Sequence, residues 1–138
     1  NLTDHKNLST LAFNRDGTRL ASGSRDGIGR VWDLRNPQRM FVLQDRHEKA
    51  ITSVAFSPDS RVLASGSSDY TIILWNMADH QLFGQSLQGY GSNVNSIAFS
   101  PNGRYVVSRS EDSTARVWEA ATDQEVGLFG ADEPHVVD

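Results

Sequence analysis

Serine, histidine and aspartate are the residue types in this chain that could together carry out nucleophilic catalysis. In a hydrolase, one histidine takes the proton of one serine hydroxyl while an aspartate orients the histidine ring. Here the serine and the aspartate recur at intervals of 43 residues, each time close in sequence to a tryptophan. These residues are Ser22, Ser65 and Ser108, together with Asp26, Asp69 and Asp112. A group that recurs in every copy of a repeat is typical of a structural network and not of a single active site, so we predict that the chain is not an enzyme.

The sequence also predicts neither a metal site nor a cofactor. Zinc sites use cysteine and histidine at short, regular spacings, but the chain has no cysteine. Its histidines are scattered at His5, His47, His80 and His135. No glycine-rich loop that ends in Gly-Lys-Ser or Gly-Lys-Thr is present to cradle a phosphate, so no nucleotide is expected either.

The composition is that of a folded, acidic domain. Of 138 residues, 38% are hydrophobic and 22% are charged, and the net charge is −4. Nucleic acids and anionic membranes are bound by clustered Lys and Arg, so we expect neither as a partner. The lack of cysteine, of a signal peptide and of a long apolar span favours an intracellular, cytoplasmic location. We expect a piece of a longer protein, because the chain opens without methionine.

A repeat of 43 residues organises the whole chain. The tryptophans follow this spacing at Trp32, Trp75 and Trp118. Six further columns of identical residues share the same spacing without a gap. Periods of about 20 to 50 residues indicate stacked structural units. We place these units at approximately 5–45, 46–88 and 89–130, with 131–138 as the start of a further repeat.

Within each unit the pattern is that of short antiparallel strands. In the middle copy, three runs of strand length are rich in β-branched and aromatic residues, namely 51–56, 62–67 and 71–75. Residues 57–60, Ser-Pro-Asp-Ser, favour a tight turn between the first two runs. A weaker fourth strand is predicted over 82–87, so each unit is expected to form four antiparallel strands.

The third run of the middle copy is apolar on both strand faces. Ile72 and Leu74 alternate with Ile73 and Trp75 along it. Such a strand must be covered on both sides, and one four-stranded sheet cannot supply two covers. Neighbouring units must therefore stack on it. Radial stacking of such sheets is a β-propeller, so the predicted fold class is all-β, with three four-stranded antiparallel blades.

The repeat resembles the WD40-repeat family over almost the whole chain. In the middle copy, residues 63–69 (LASGSSD) and 72–75 (IILW) are similar to the second and third strands of that family. Residues 20–26 (LASGSRD) and 31–33 (VWD) repeat the pattern and contain the Trp-Asp pair of the family name. Three copies in phase make this resemblance specific.

The resemblance implies a network of four side chains in each blade: a His before the first strand, a Ser on the second, an Asp in the tight turn and a Trp on the third. In the middle blade these are His47, Ser65, Asp69 and Trp75. In the first blade they are Ser22, Asp26 and Trp32, with His5 one position out of register. In the third blade they are Ser108, Asp112 and Trp118, with Tyr90 at the histidine position and Arg109 in place of a strand glycine. We expect the network to hold each blade rigid, and the third blade to be the least rigid.

The loop positions that vary between copies are the candidates for recognition. The resemblance places the tight turns and the loops before the first strands on the same rim. Tyr and Arg are enriched among residues that dominate binding energy. Our candidates are Arg25, Arg46, Lys49, Tyr70, Tyr90 and Asn93. We interpret the chain as a non-catalytic protein–protein interaction scaffold that presents these residues to a protein or peptide partner.

Three blades are too few to close a propeller, which usually needs about four to eight. The chain is therefore either part of a larger propeller or a unit that closes a ring by oligomerisation. Two copies joined head to tail would form a six-blade ring, and we predict a homo-oligomer of this kind, a dimer, with a nine-blade trimer as the less favoured closure. The alternative function is that of a half-propeller whose main activity is self-assembly.

Overall fold

The computed structural model describes residues 7–36, 38–43, 47–78, 81–82, 87, 92–120, 124–129 and 135–136. These residues form β-strands joined by turns, with no helix among them. The strands belong to three antiparallel sheets that follow one another along the chain. The prediction of an all-β fold with consecutive blade-like sheets is confirmed.

Each sheet runs in chain order from its first strand outward, as a series of hairpins. The first sheet contains β1 (Leu8–Phe13), β2 (Arg19–Ser24), β3 (Gly29–Asp33) and β4 (Met40–Leu43). The second contains β5 (Ile51–Phe56), β6 (Val62–Ser67), β7 (Ile72–Asn76) and β8 (Gln81–Leu82). The third contains β9 (Val94–Phe99), β10 (Tyr105–Ser110), β11 (Ala115–Glu119), β12 (Gln124–Phe129) and β13 (His135–Val136).

A polar side chain closes the hairpin between the first two strands of every sheet. Asn14 Oδ1 accepts the N–H of Arg19 at 2.9 Å. Ser57 Oγ accepts the N–H of Val62 at 3.0 Å, and Ser100 Oγ accepts the first N–H of β10 at the same distance. Short polar side chains that bond to nearby backbone groups favour turns over continued strand, and these are the turns that the sequence predicted.

The third sheet has a fifth strand that the sequence analysis did not predict. Strand β13 pairs antiparallel with β12, with Gly127 opposite Val136 and Leu128 opposite His135. An outer strand presents unpaired N–H and C=O groups, which an extended segment of the same chain can satisfy. The assignment of 131–138 to a further repeat, and the unit boundaries, stay predictions; within 131–138 the structure describes only 135–136.

Two apolar clusters between neighbouring sheets form the core. The cluster between the first and second sheets contains Ala21, Val31, Leu43, Ile51, Val54, Leu63, Ile73, Trp75 and Met77. The cluster between the second and third contains Ala64, Ile72, Leu74, Leu87, Val94, Ile97, Val106, Trp118 and Ala120. Strand β7 contributes alternate residues to the two clusters, as its apolar pattern predicted. The second sheet is therefore covered on both faces.

Hydrogen bonds repeat at equivalent places in the two junctions. The hydroxyl of Ser9, on β1, donates to the carbonyl oxygen of Ile51 on β5. The hydroxyl of Thr52, on β5, donates in the same way to the carbonyl oxygen of Val94 on β9. The first strands of successive sheets therefore contact one another in the same register, 43 residues apart.

Candidate functional site

Four side chains of the second sheet meet in one chain of hydrogen bonds. His47 precedes β5, Ser65 lies on β6, Asp69 is in the turn between β6 and β7, and Trp75 lies on β7. Ser65 Oγ is 2.9 Å from Trp75 Nε1 and 2.7 Å from His47 Nε2. His47 Nδ1 is 2.9 Å from Asp69 Oδ2. The structure thus brings together the four residues that the resemblance implied for the middle blade.

The network runs from the indole of Trp75 to the carboxylate of Asp69. The indole N–H of Trp75 donates to Ser65, and Ser65 Oγ forms a hydrogen bond with His47 Nε2. The Nδ1–H of His47 then donates to Asp69, which also accepts the N–H of Glu48 at 3.0 Å. Every buried polar group of the network thereby has a hydrogen-bond partner, as buried polar groups require.

Thr71, which the sequence analysis did not select, completes the surroundings of Asp69. Its N–H donates to Asp69 Oδ1 at 2.9 Å, and its hydroxyl donates to the same oxygen. Burial alone would raise the pKa of the Asp69 carboxyl, but the hydrogen bonds from His47 and Thr71 hold that pKa well below its usual value of 3.8. The signal that could have revealed Thr71 is its recurrence as Thr114, 43 residues later.

We expect the stability that Asp69 provides to disappear in acid. Because its pKa is lower in the folded than in the unfolded chain, the ionised carboxylate stabilises the fold above about pH 4. This contribution is lost progressively as the pH falls below the unfolded pKa toward the folded one. Asp69→Asn should therefore be less stable than wild type at neutral pH, and the difference in unfolding free energy should shrink below about pH 5.

Urea denaturation of both proteins across this pH range measures that difference. Asp112→Asn is the matched control, because Asp112 holds the same repeat position but its side chain is exposed. It should produce a smaller difference at neutral pH. A difference for Asp69→Asn that stays constant from neutral pH into acid would contradict the proposed ionic contribution.

The third sheet has part of the same network. Trp118 Nε1 donates to Ser108 Oγ at 3.2 Å. Asp112 is exposed and accepts the N–H of Thr114 at 2.9 Å. Tyr90, at the histidine position, lies outside the described residues. The described hydrogen bonds of the Asp112 carboxylate are therefore made within its turn, while its backbone N–H donates to Ser92 Oγ at 3.2 Å in the loop before β9.

In the first sheet the equivalent residues are present with different partners. Ser22 and Trp32 are buried, and Ser22 Oγ has no hydrogen-bond partner among the described residues. Asp26 accepts the N–H of Ile28 at 3.1 Å and the hydroxyl of Ser24. His5 lies outside the described residues. Among the described residues, the complete series of hydrogen bonds between the four side chains occurs in the second sheet.

The network contains the Ser–His–Asp arrangement of a hydrolase, but its serine is buried. Ser65 is buried between the first and second sheets, on the face of β6 that carries Leu63. Its oxygen already accepts the N–H of Trp75. Nucleophilic catalysis requires the oxygen to reach a substrate atom beside oxyanion donors. The Ser65 side chain, at 1% exposure, does not have this access.

At the same end of the sheets, the tight turns lie beside the loops that precede the first strands. In each sheet, the residue before the turn aspartate donates its backbone N–H to that loop. These bonds are Arg25 N–H to Asn7 O (3.1 Å), Ser68 N–H to Ala50 O (2.9 Å) and Glu111 N–H to Asn93 O (2.9 Å). We call these turns and loops the rim. Ser67 strengthens it, since its hydroxyl donates to Ala50 O at 2.8 Å.

Lys49 and Tyr70 are candidate residues that the structure brings together. Lys49 Nζ lies 5.8 Å from the centre of the Tyr70 ring, within the range of a cation–π interaction. Both side chains are exposed. Tyr70 has a φ of 75°, a left-handed conformation that is uncommon for a bulky residue. At the equivalent position, the first sheet has Gly27 with a φ of 85°.

The other candidates occupy further places on the rim or lie outside the described residues. Arg25 is exposed in the turn of the first sheet, and Asn93 is half-buried before β9. The turn of Arg25 packs on the loop before β5, because a Cβ atom at Gly27 would lie 2.7 Å from the carbonyl oxygen of His47. Arg46 and Tyr90 lie outside the described residues.

In the described part of the chain, no three His, Asp or Glu side chains converge on a place where a metal ion could bind. The same part contains no helix with the length and apolar character needed to cross a bilayer.

Comparison with known families agrees with the three-sheet architecture. The family described as WD domain, G-beta repeat (WD40) matches residues 1–33, 38–76 and 82–119. A comparison with curated proteins finds no match. Each matched segment ends at the last residue of one of the three tryptophan-bearing strands, and together the segments cover most of the chain. The chain therefore belongs to the WD40-repeat family.

Proposed function

We propose that this chain is a non-catalytic protein–protein interaction scaffold that binds a protein or peptide through the rim of its second sheet. The observation that carries this proposal is the exposed Lys49–Tyr70 pair, whose residues lie close in sequence to the hydrogen-bonded His47 and Asp69. Members of the WD40 family usually bind protein partners, and the rim is where side chains vary between the three copies.

The conformation of Tyr70 supports a role in binding. A non-glycine residue with positive φ costs about 1 kcal/mol or more, and such strain is often found where function requires it. Gly27 in the first sheet makes the same turn without this cost, and Ser113 in the third sheet makes it with a φ of 69°, so the aromatic ring is what distinguishes Tyr70. A large aromatic ring held in a strained turn, exposed to solvent and beside a cation, is the type of residue that dominates protein interfaces.

The structural role of the network also belongs to this proposal. The network links the loop before β5, strand β6, the β6–β7 turn and strand β7 through buried hydrogen bonds. Such linkage gives the rim a fixed shape before a partner arrives, which reduces the entropic cost of binding. We propose that the chain acts inside the cell, without catalysis and without nucleic acid or membrane as a partner.

We expect the double variant Lys49→Ala/Tyr70→Ala to fold normally and to lose its partner. The matched control is Arg104→Ala/Tyr105→Ala, which removes a similar cation–π pair, 5.1 Å apart, at the opposite end of the sheets. Quantitative affinity capture compares the proteins retained by wild type, the variant and the control. The rim variant should retain about tenfold less of a captured protein than wild type, and the control should retain as much as wild type. Equal capture by all three proteins would contradict the proposed surface.

A second candidate function is self-assembly into a closed ring of two copies. The observation in its favour is an apolar row on the open face of β1, formed by Leu8, Leu11 and Phe13, which we call the β1 stripe. All three side chains are exposed. Self-assembly of this kind requires the exposed face of the third sheet in one copy to pack on the β1 stripe of the other copy. It predicts a mass of twice 15.2 kDa in light scattering, and a monomeric mass contradicts it.

A further inference from the structure

A cleft opens between the first and second sheets at the end opposite the rim. Its volume is about 760 Å³, within the range of about 300 to 1,000 Å³ that is typical of ligand-binding clefts. The β1–β2 and β3–β4 turns form one wall, and the β5–β6 turn and the residues that follow β7 form the other. We call it the turn cleft. Its charged lining residues are Asp16, Arg19, Arg35, Asp59 and Arg61.

A buried amide joins the two walls. Asn14, in the β1–β2 turn, is 4% exposed, and its Nδ2 donates to Ser60 Oγ in the β5–β6 turn at 3.2 Å. Ser60 has a φ of 62°, whereas the equivalent turns of the other two sheets have Gly17 and Gly103 at this position. The second sheet thus keeps a hydroxyl at a position where a residue other than glycine is uncommon. The hydrogen bond to this hydroxyl holds the two walls of the cleft together.

The turn cleft has a positive charge that the repeat does not require. Arg19 and Arg35 lie on its first wall, and their equivalents on the corresponding wall of the next junction are Val62 and Ala78. With Arg61 on the second wall, three guanidinium groups line the cleft together with two carboxylates. This local excess of positive charge occurs on a chain whose net charge is −4. It is confined to one of two equivalent junctions, so the packing of the sheets does not explain it.

The arginine of the second wall is available to a ligand. Arg61 is exposed and forms no salt bridge with a described residue. Its equivalent on the third sheet, Arg104, has Nε 3.5 Å from Glu119 Oε1 and its guanidinium group 5.1 Å from the centre of the Tyr105 ring. The guanidinium group of Arg104 is thus held by its own sheet, whereas that of Arg61 can reach a ligand in the cleft.

The two aspartates of the cleft stay ionised at neutral pH. Asp16 Oδ1 accepts the hydroxyl of Thr18 at 2.6 Å and its N–H at 3.0 Å. Asp59 Oδ1 accepts the N–H of Arg61 at 3.0 Å and the hydroxyl of Ser57 at 2.7 Å. These hydrogen bonds hold the pKa of both carboxyls below the usual value of 3.8. The cleft therefore offers anionic hydrogen-bond acceptors beside its cationic donors.

We propose that the turn cleft binds an extended peptide segment with acidic side chains. The three guanidinium groups match carboxylates, to which each can donate two parallel hydrogen bonds. The two aspartates accept backbone N–H groups of the segment, which a compact anion such as phosphate does not supply. The cleft lies at the opposite end of the sheets from the rim, so this site goes beyond the proposed function and does not depend on it.

The probe is a fluorescently labelled synthetic peptide, capped at both ends, in which glutamate alternates with alanine. Its binding to wild type and variants is measured by fluorescence anisotropy at low salt, where charge attraction is little screened. Arg19→Gln/Arg61→Gln removes one guanidinium group from each wall of the cleft. The matched control Arg104→Gln/Arg109→Gln removes the same charge at exposed positions of the third sheet. Circular dichroism checks the folding of both, and Arg61→Gln alone replaces the cleft variant if that variant does not fold.

We expect the cleft variant to bind the glutamate peptide at least about tenfold more weakly than wild type, because it loses hydrogen bonds between charged groups. The control and Lys49→Ala/Tyr70→Ala should bind the peptide nearly as wild type does. Equal weakening by the control would show attraction to the overall charge and overturn the proposal. So would equal binding of the same peptide with glutamine in place of glutamate, or absence of binding by wild type. If inorganic phosphate displaced the probe as well as unlabelled peptide does, the site would take a compact anion and the proposal would be wrong.

Discussion

Gly66→Val is expected to destabilise the chain by about 3 kcal/mol or more, because it forces atoms into the junction between the second and third sheets. The first added atom alone would lie 2.7 Å from Val94 Cγ1 and Ile97 Cδ1. Both neighbours are β-branched and have few alternative rotamers. Both are buried on a strand that pairs with β10. Relief must come from separation of the sheets.

Urea or guanidinium denaturation of wild type and Gly66→Val measures this loss. Arg109→Val is the matched control, since it places the same side chain in the same column of the open third sheet. Because Arg109 is exposed and no other described residue covers it, the control should change the unfolding free energy by less than about 0.5 kcal/mol in the unfavourable direction. Similar losses in the two variants would show that strand propensity, and not junction space, determines the effect.

Ser65→Ala is expected to cost about 2 to 3 kcal/mol, since it leaves two buried groups without a partner. The hydroxyl of Ser65 links the indole N–H of Trp75, at 2.9 Å, to His47 Nε2, at 2.7 Å. Water cannot replace it, because Ser65 and both of its partners are buried. The loss of one oxygen therefore affects three side chains and, through His47, the position of Asp69.

Ser22→Ala is the matched control for this prediction. Ser22 occupies the same column and is equally buried, but its oxygen has no hydrogen-bond partner among the described residues. Its removal should be close to neutral, because an unsatisfied buried hydroxyl contributes nothing and replacement by an apolar group avoids its desolvation. Thermal or urea denaturation of both variants separates the two cases. Equal losses would mean that the network adds no stability of its own.

Much of the fold was predictable because its determinants are local. The alternation of apolar residues along 72–75 predicted a strand covered on both faces, and the two clusters confirm it. Turn residues such as Asn14 and Ser57 act on backbone groups five residues away. Interactions over such short separations depend on residue type and spacing, which the sequence displays directly.

The candidate site was predictable only in part. The columns of Ser65, Asp69 and Trp75 were visible from the repeat, and the resemblance supplied His47. The sequence did not reveal that Thr71 bonds to Asp69, nor that Lys49 lies against the ring of Tyr70. The second of these contacts joins separate loops, and its geometry depends on how the strands between them are placed.

The period, the strands, the turns and the membership of the repeat columns were determined by the sequence itself. Only the tertiary structure decided which of the equivalent residues in the three repeats are buried, as Leu11 and Val54 show. These two residues are alike in type and register, but among the described residues a neighbouring sheet packs only on Val54. The sequence alone shows that Arg109 replaces the glycine of the other two copies. Only the distances around Gly66 show that a side chain at this position has no room between packed sheets. Burial and free space are properties of packed neighbours distant in sequence, so no local pattern can specify them.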